Sequence, residues 1–325
     1  MHRELRALPK AHLHLHLEAA MRPSTLLELG AEHGIDVPDM ASATTFTDFI
    51  ALYEAATDVL RRPEDLQRLL RELAEDAAAD GAAWVEYFVY PPLWLDRFGS
   101  DADALDACLD AARLATEATG VGLGAIVTAD RTLDPALGEH IAQVAAARAD
   151  DGVVGFGLAN DETHFPPEPF ERAFAIALEG GLMSVPHAGE LAGPASVRAA
   201  LDVLHAERIG HGARSVEDPE LVRRLADEGI TCDVCPTSNI ALSIYPSYAE
   251  HAIGTLVDAG VPVTINTDDP LMFGTTLAEE WMLVRDAFGW SDEQMAAIAR
   301  TSITASAAPD ATKAAVLTSI DAWLA

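Results

Sequence analysis

Lysine is almost absent from this chain, with only Lys10 and Lys313 among 325 residues. Basic residues number 21 against 52 acidic ones, a formal net charge of -31. A surface of that sign repels phosphate backbones and anionic lipid headgroups, which argues against nucleic acid and membrane surfaces as partners. The three cysteines, Cys108, Cys232 and Cys235, are too few for a disulfide framework and fit a reducing compartment. No apolar run reaches the roughly 18 residues of a membrane span, and the N-terminal residues lead into a patterned segment without the apolar stretch of a signal peptide. A soluble, cytoplasmic protein is expected. The chain also lacks a G-x-G-x-x-G or P-loop sequence after its first apolar run, which removes the main signal of a nucleotide-binding doubly wound sheet.

Half of the residues are hydrophobic, ample for a large core. Eight short apolar runs recur along the chain: Ala11 to Leu17, Ala83 to Tyr90, Leu123 to Thr128, Val153 to Leu158, Leu182 to His187, Arg208 to His211, Thr231 to Cys235 and Val261 to Thr267. Between them lie helical segments, several with a proline in the first turn, such as those opening at Pro63, Pro135, Pro166, Pro194 and Pro219. Strand and helix in strict alternation imply parallel strands joined by right-handed crossovers, and eight of them suggest a closed (β/α)8 barrel. One domain covering residues 1–325 is expected, with an extra helical insertion after the first strand, between residues 18 and 82. In that insertion Phe46, Phe49 and Tyr53 fall at helical spacing, a stripe that faces either the core or a pocket on the catalytic rim.

The densest chemical signal is Ala11-His12-Leu13-His14-Leu15-His16-Leu17-Glu18. Strand side chains alternate, so the three histidines are predicted to share the interior face. An H-x-H pair at the end of a first barrel strand puts two imidazoles, the commonest zinc ligands, within reach of one cation. Later runs end in Pro186-His187-Ala188-Gly189-Glu190, Gly210-His211-Gly212 and Thr267-Asp268-Asp269-Pro270, and in a barrel these ends converge on one face. His2, His33, His140, His164, His205 and His251 lie outside strand ends and read as surface or packing residues.

Taken in order, H-x-H-x-E after Pro9-Lys10, S-V-P-H-A-G-E, R-I-G-H-G, C-P-T-S-N and T-D-D-P resemble the adenosine deaminase family of the amidohydrolase superfamily. The resemblance implies one Zn2+ per chain, held by His14, His16, His187 and Asp268 with a water as the remaining ligand. It implies that Glu190 and His211 are catalytic with Asp268, that Asp269 contacts the purine and that Glu18 reaches the sugar. His16, Asn160, Phe46 and Phe49 complete the expected substrate contacts. The chemistry agrees: hydrolytic deamination needs an activated water, which zinc supplies by lowering its pKa, and a proton for the ring nitrogen beside the attacked carbon, for which Glu190 is placed. His211 is expected to orient the water and act as base.

Two other metal chemistries fail on the sequence. A carboxylated lysine bridging two ions at the fourth strand is excluded, because that segment reads Gly157-Leu158-Ala159-Asn160-Asp161. The small cytidine-type deaminases carry P-C-x-x-C, whereas here proline follows the second cysteine of Cys232-Asp233-Val234-Cys235-Pro236. The departures from the resembled pattern lie in the substrate shell: Glu18 for Asp, Ala19 for Gly, Phe88 for Arg and Asn160 for the Gly of L-A-G-D-E. Adenosine and 2′-deoxyadenosine are the expected substrates, ahead of adenine and of a modified adenosine (aminodeoxyfutalosine, an N6-substituted or an antibiotic-pathway nucleoside). A non-catalytic nucleoside-binding barrel is the remaining alternative, and retention of Glu190 and His211 speaks against it.

Overall fold

The computed structural model describes residues 2–42 and 45–325. Its strands are β1 (Lys10–His12), β2 (Ala82–Val89), β3 (Gly122–Asp130), β4 (Val153–Ala159), β5 (Met183–Ser184), β6 (His187–Ala188), β7 (Arg208–His211), β8 (Thr231–Val234) and β9 (Val263–Ile265). These nine make eight staves, because β5 and β6 are two halves of one strand interrupted at Pro186, which has no N–H to give to a neighbour. Every pairing is parallel. The backbone after β1 bonds to the other end of the sheet, with His16 N donating to Asp268 O at 3.0 Å and His14 O accepting from Asp268 N at 3.2 Å. On the broken side Glu207 N donates to Ser184 O and Gly210 N to Pro186 O. The sheet thus closes on itself, as the alternation of runs predicts.

Between β1 and β2 lie three helices, α1 (Pro23–His33), α2 (Phe46–Thr57) and α3 (Pro63–Ala79). Helix α2 starts in a capping box in which Thr45 and Asp48 satisfy each other's backbone amides. The segment after Pro166 differs from expectation: a 3-10 turn covers Glu168–Phe170 and the α-helix begins only at Glu171. Among the described residues no helix is long and apolar enough to cross a membrane.

Inside the barrel the side chains stack in layers along β2, where residues two apart face inward. Trp84 donates to Glu86 at 2.9 Å, and Phe88 packs with Ile126 and Val185 in a small apolar plug. The intervening Tyr87 points outward to Cys108 on helix Asp101–Thr119. In the lower layer the buried Arg208 bonds Glu86 at 2.5 Å and Asp233 at 2.6 Å. Burial pushes the Asp233 carboxyl up to about 6, partly offset by that guanidinium. Replacing Arg208 by methionine leaves two buried carboxylates without their cation and should cost about 3–5 kcal/mol. Urea denaturation of the variant checks this, and a loss below about 1 kcal/mol would contradict the layer's role.

Candidate active site

His14, His16, His187, His211, Glu190, Asp268 and Asp269 all sit at the C-terminal ends of the strands or just beyond them, where the barrel collects side chains from distant parts of the chain. Gly210 makes room for this crowding, because a Cβ there would meet His14 Cε1 at 2.9 Å. Below the imidazoles lies Phe88, whose ring is 4.7 Å from that of His14, 5.3 Å from His16 and 4.8 Å from His187 between centroids. The aromatic residue that replaces the expected arginine therefore forms a dry floor under the cluster.

Asp268 presents its two oxygens to different partners. Oδ1 lies 3.2 Å from His14 Nε2 and 3.3 Å from His16 Nε2, while His16 Nε2 and His187 Nε2 are 3.2 Å apart. Oδ1 and both ring nitrogens of His14 nevertheless have no partner in hydrogen-bonding geometry. Polar atoms that crowd together without bonding one another, in a buried place, face a common centre, which is the arrangement of ligands around a cation. Oδ2 instead accepts from Ser238 Oγ at 2.6 Å and stands 3.9 Å from His211 Nε2. Zinc fits this cluster: His14, His187 and His211 converge with Asp268, and His16 meets the same carboxylate beside Asp269, so that His14, His16, His187 and Asp268 are the residues proposed to hold it.

The titration directions divide the carboxyls. Burial pushes His14 down to about 3, and burial followed by the neighbouring imidazoles lowers His187, so both are in the neutral form that binds metal. Burial also tends to raise Asp268, but His211, His14 and His16 outweigh it and hold this carboxyl well below its usual range. Glu190 is raised well above its usual range by burial and then by the charges of Asp268 and Glu162. Asp269 is raised by burial and by Asp268. Asp268 is thus favoured as the anion while Glu190 and Asp269 are pushed toward their protonated forms, the separation expected of an acid and its anionic partner.

His211 differs from expectation. Ile253 N donates to His251 Nδ1 at 3.1 Å, which leaves neutral His251 with its proton on Nε2, and that nitrogen lies 3.1 Å from Asn239 Oδ1. Burial pushes His251 down to about 3, in keeping with the neutral form. The Asn239 amide is then turned to donate toward His211 Nδ1 at 3.4 Å, so the neutral His211 carries its proton on Nε2, facing the pocket. In this form it is a donor suited to orienting a water, which leaves Asp268, expected from the sequence as ligand and proton acceptor, as the candidate base. Sequence reading placed Asn239 in a motif and His251 among the packing residues; the relay between them has no signature in local spacing.

His12 does not join the other histidines. The ladder shifts register between Lys10 and Ala11, and Leu13 N and His14 N both donate to Asn266 Oδ1, at 2.8 and 3.1 Å, which successive amides of a regular strand cannot do. His12 Nε2 therefore meets Thr267 N and Oγ1 at 3.3 and 3.0 Å, and the ring lines a separate cavity with Leu15 and Leu271.

Above the cluster opens a pocket walled by Phe46, Phe49, Ile50 and Tyr53 of α2, Val89, Leu93, Leu242 and Asn160. The aromatic stripe is thus a roof, with Phe49 stacked on Phe273 at 5.7 Å. Glu18 does not reach this pocket: it is wholly buried, and the Tyr53 hydroxyl donates to its Oε2 from the pocket side. Asn160 adopts φ 82, the left-handed conformation a glycine would supply and Asn tolerates better than most. Its amide turns aside to donate to Asp130 at 3.0 Å, while its Oδ1 accepts from Asp161 N at 2.8 Å. Asp269 lines the pocket with a buried, unpartnered Oδ1.

This geometry agrees with what the chain is similar to. The model of the adenosine deaminase family matches residues 9–323. A Streptomyces virginiae relative named as an adenosine/adenine deaminase is 46% identical over 99% of this chain and 98% of its own. The crystal structure of adenine deaminase from Arthrobacter aurescens superposes with a TM-score of 0.91 at 31% identity, covering 97% of this chain and 99% of that one. An amidohydrolase from Burkholderia ambifaria with bound zinc gives 0.90 at 31% identity, covering 98% and 92%. The chain belongs to the adenosine deaminase family, and it is a zinc-dependent deaminase, a hydrolase acting on a C–N bond. One equivalent of zinc per chain is expected by metal analysis of the purified protein, falling below about a tenth in His187→Ala. Two equivalents in fully active protein would contradict a mononuclear centre.

Proposed function

We propose that the protein hydrolyses adenine to hypoxanthine and ammonia. The observation that carries this choice of substrate is the pairing of Tyr53 with Glu18. The carboxylate that the family resemblance assigns to the sugar is buried and takes the Tyr53 hydroxyl, and the pocket wall beside Tyr53 carries Phe46, Phe49 and Ile50, which suit a planar base. The Arthrobacter aurescens structure, an adenine deaminase, supports the same reading, which replaces adenosine as the expected substrate.

Zinc held by His14, His16, His187 and Asp268 would supply a water acidic enough to react near neutral pH. His211, donating through Nε2, orients the attacking oxygen, and Asp268 Oδ2 accepts its proton. Protonated Glu190 delivers a proton to the ring nitrogen beside the amino-bearing carbon, which removes the developing negative charge there. Asp269 shares its proton with a nitrogen of the imidazole ring and fixes the purine in the pocket. Asp268 then passes the proton taken from the water to the amino group, which leaves as ammonia while the new hydroxyl returns a proton to Glu190 and becomes the carbonyl of hypoxanthine.

Steady-state kinetics on adenine, adenosine and 2′-deoxyadenosine test the proposal, with kcat/KM expected to be at least tenfold higher for adenine. Tyr53→Ala, which opens the wall over Glu18, should shift the adenosine to adenine ratio upward by about tenfold. A native preference for adenosine would overturn the substrate assignment. Glu190→Gln keeps the shape but has no transferable proton, so turnover should fall by about 10²–10⁴ with zinc retained; near-normal turnover would remove Glu190 as the donor.

A further inference from the structure

Glu190 performs its part without a side-chain anchor. Among the described residues its carboxyl makes no hydrogen bond to another side chain and stands 3.7 Å from His211 Nε2. Its place is set by its backbone, and that backbone is gripped by the last residue of the Leu158-Ala159-Asn160-Asp161-Glu162 stretch, to which the reaction assigns no role. Glu162, buried in the loop after β4, accepts four consecutive amides: Gly189 N on Oε1 at 2.6 Å, and Glu190 N, Leu191 N and Ala192 N on Oε2 at 3.0, 2.8 and 2.9 Å. The amides converge because Gly189 turns the chain at φ 71, where a Cβ would also strike Val197 Cγ2 at 2.5 Å.

A cation completes the grip from the other side. The guanidinium of Arg131, buried and without a carboxylate at ion-pair distance among the described residues, donates to carbonyls: His187 O at 2.6 Å, Phe165 O at 3.2 Å, Ala159 O at 3.3 Å and Leu158 O at 3.5 Å. The segment from His187 to Ala192 is thereby held by an anion on its amides and a cation on its first carbonyl. Charge-assisted hydrogen bonds are roughly twice as strong as neutral ones and are strengthened further in a dry interior. A misplacement of about 1 Å in a reacting group costs about a hundredfold in rate, so a clamp of this kind has a direct kinetic consequence.

We propose that Glu162, with Arg131 opposite, is a positioning residue that sets where the Glu190 carboxyl meets the purine. The inference rests on the reading of Glu190 as proton donor. Glu162→Gln retains the volume but loses the charge and half of the acceptor capacity. Hydrogen exchange by mass spectrometry on the peptide covering residues 187–192 should speed up at least tenfold in the variant, and kcat should fall about a hundredfold, with KM within threefold and zinc content unchanged. Glu207→Gln, which removes the carboxylate that accepts from Ser184 N at the other end of the same broken strand, should leave both readouts as they are.

Exchange and kcat both matching the native protein would overturn the proposal. So would a fall in kcat that tracks loss of zinc, or a rise in KM at constant kcat. Should Glu162→Gln not fold, Arg131→Lys carries the same test, since lysine retains the charge but cannot span the carbonyls: slower turnover at constant KM with faster exchange sustains the clamp, and native values sink it. The exchange readout needs no substrate, so a wrong substrate assignment leaves it standing, whereas an active Glu190→Gln variant would remove the reading of Glu190 without touching the clamp.

Discussion

The arrangement depends on a set of buried polar atoms that satisfy nothing but one another's proximity. Asp268 Oδ1 lies 3.2 Å from His14 Nε2 and 3.3 Å from His16 Nε2, and neither Oδ1 nor His14 Nε2 has a hydrogen-bond partner among the described residues. Left so, they would cost several kcal/mol of desolvation, and a divalent cation removes that cost. Much of the upper barrel serves this cluster. Pro186 breaks a strand beside His187, Gly210 withholds a side chain so that the His14 ring can enter, and Phe88 closes the floor. Ser238 holds the second oxygen of Asp268 toward His211, leaving Oδ1 to face His14 and His16.

From that cluster the electrostatics of the pocket follow. An ionised Asp268 beside buried Glu190 and Asp269 makes it costly to ionise either neighbour, which pushes both toward the protonated form. Two carboxyls with opposite assignments a few residues apart in space is the pattern of an acid working beside an anionic acceptor. The zinc, the donor and the purine anchor are therefore one coupled system, while the aromatic roof on α2 and its link to Glu18 govern which purine enters.

Most of the barrel was legible from the sequence because parallel strands buried on both faces write themselves as apolar runs, and all eight runs became staves. The convergence of His187, Glu190, His211 and Asp268 on one pocket was legible for the same reason, since they stand where runs end and ends converge. What escaped was decided by contacts between distant segments. Alternation misplaced His12 because a register shift next to Ala11 rotates it toward Thr267. Glu18 follows His14 and His16 in sequence, but Tyr53, 35 residues later, bonds its carboxylate. The His251–Asn239 relay and the grip of Glu162 on residues 189–192 join side chains to atoms far along the chain, and neither leaves a periodic trace. Asn160 was legible as a departure, yet only the structure shows its amide spent on Asp130.

The central claim is a single ion held by three imidazoles and one carboxylate at the top of the barrel. Zinc K-edge X-ray absorption of the zinc-loaded protein tests it most directly. The account predicts a first shell of nitrogen and oxygen alone, near 2.0–2.2 Å, with the outer-shell scattering of three histidines. A sulfur scatterer near 2.3 Å, which would bring Cys232 or Cys235 into the site, or a second metal at about 3.5–4 Å, would contradict it.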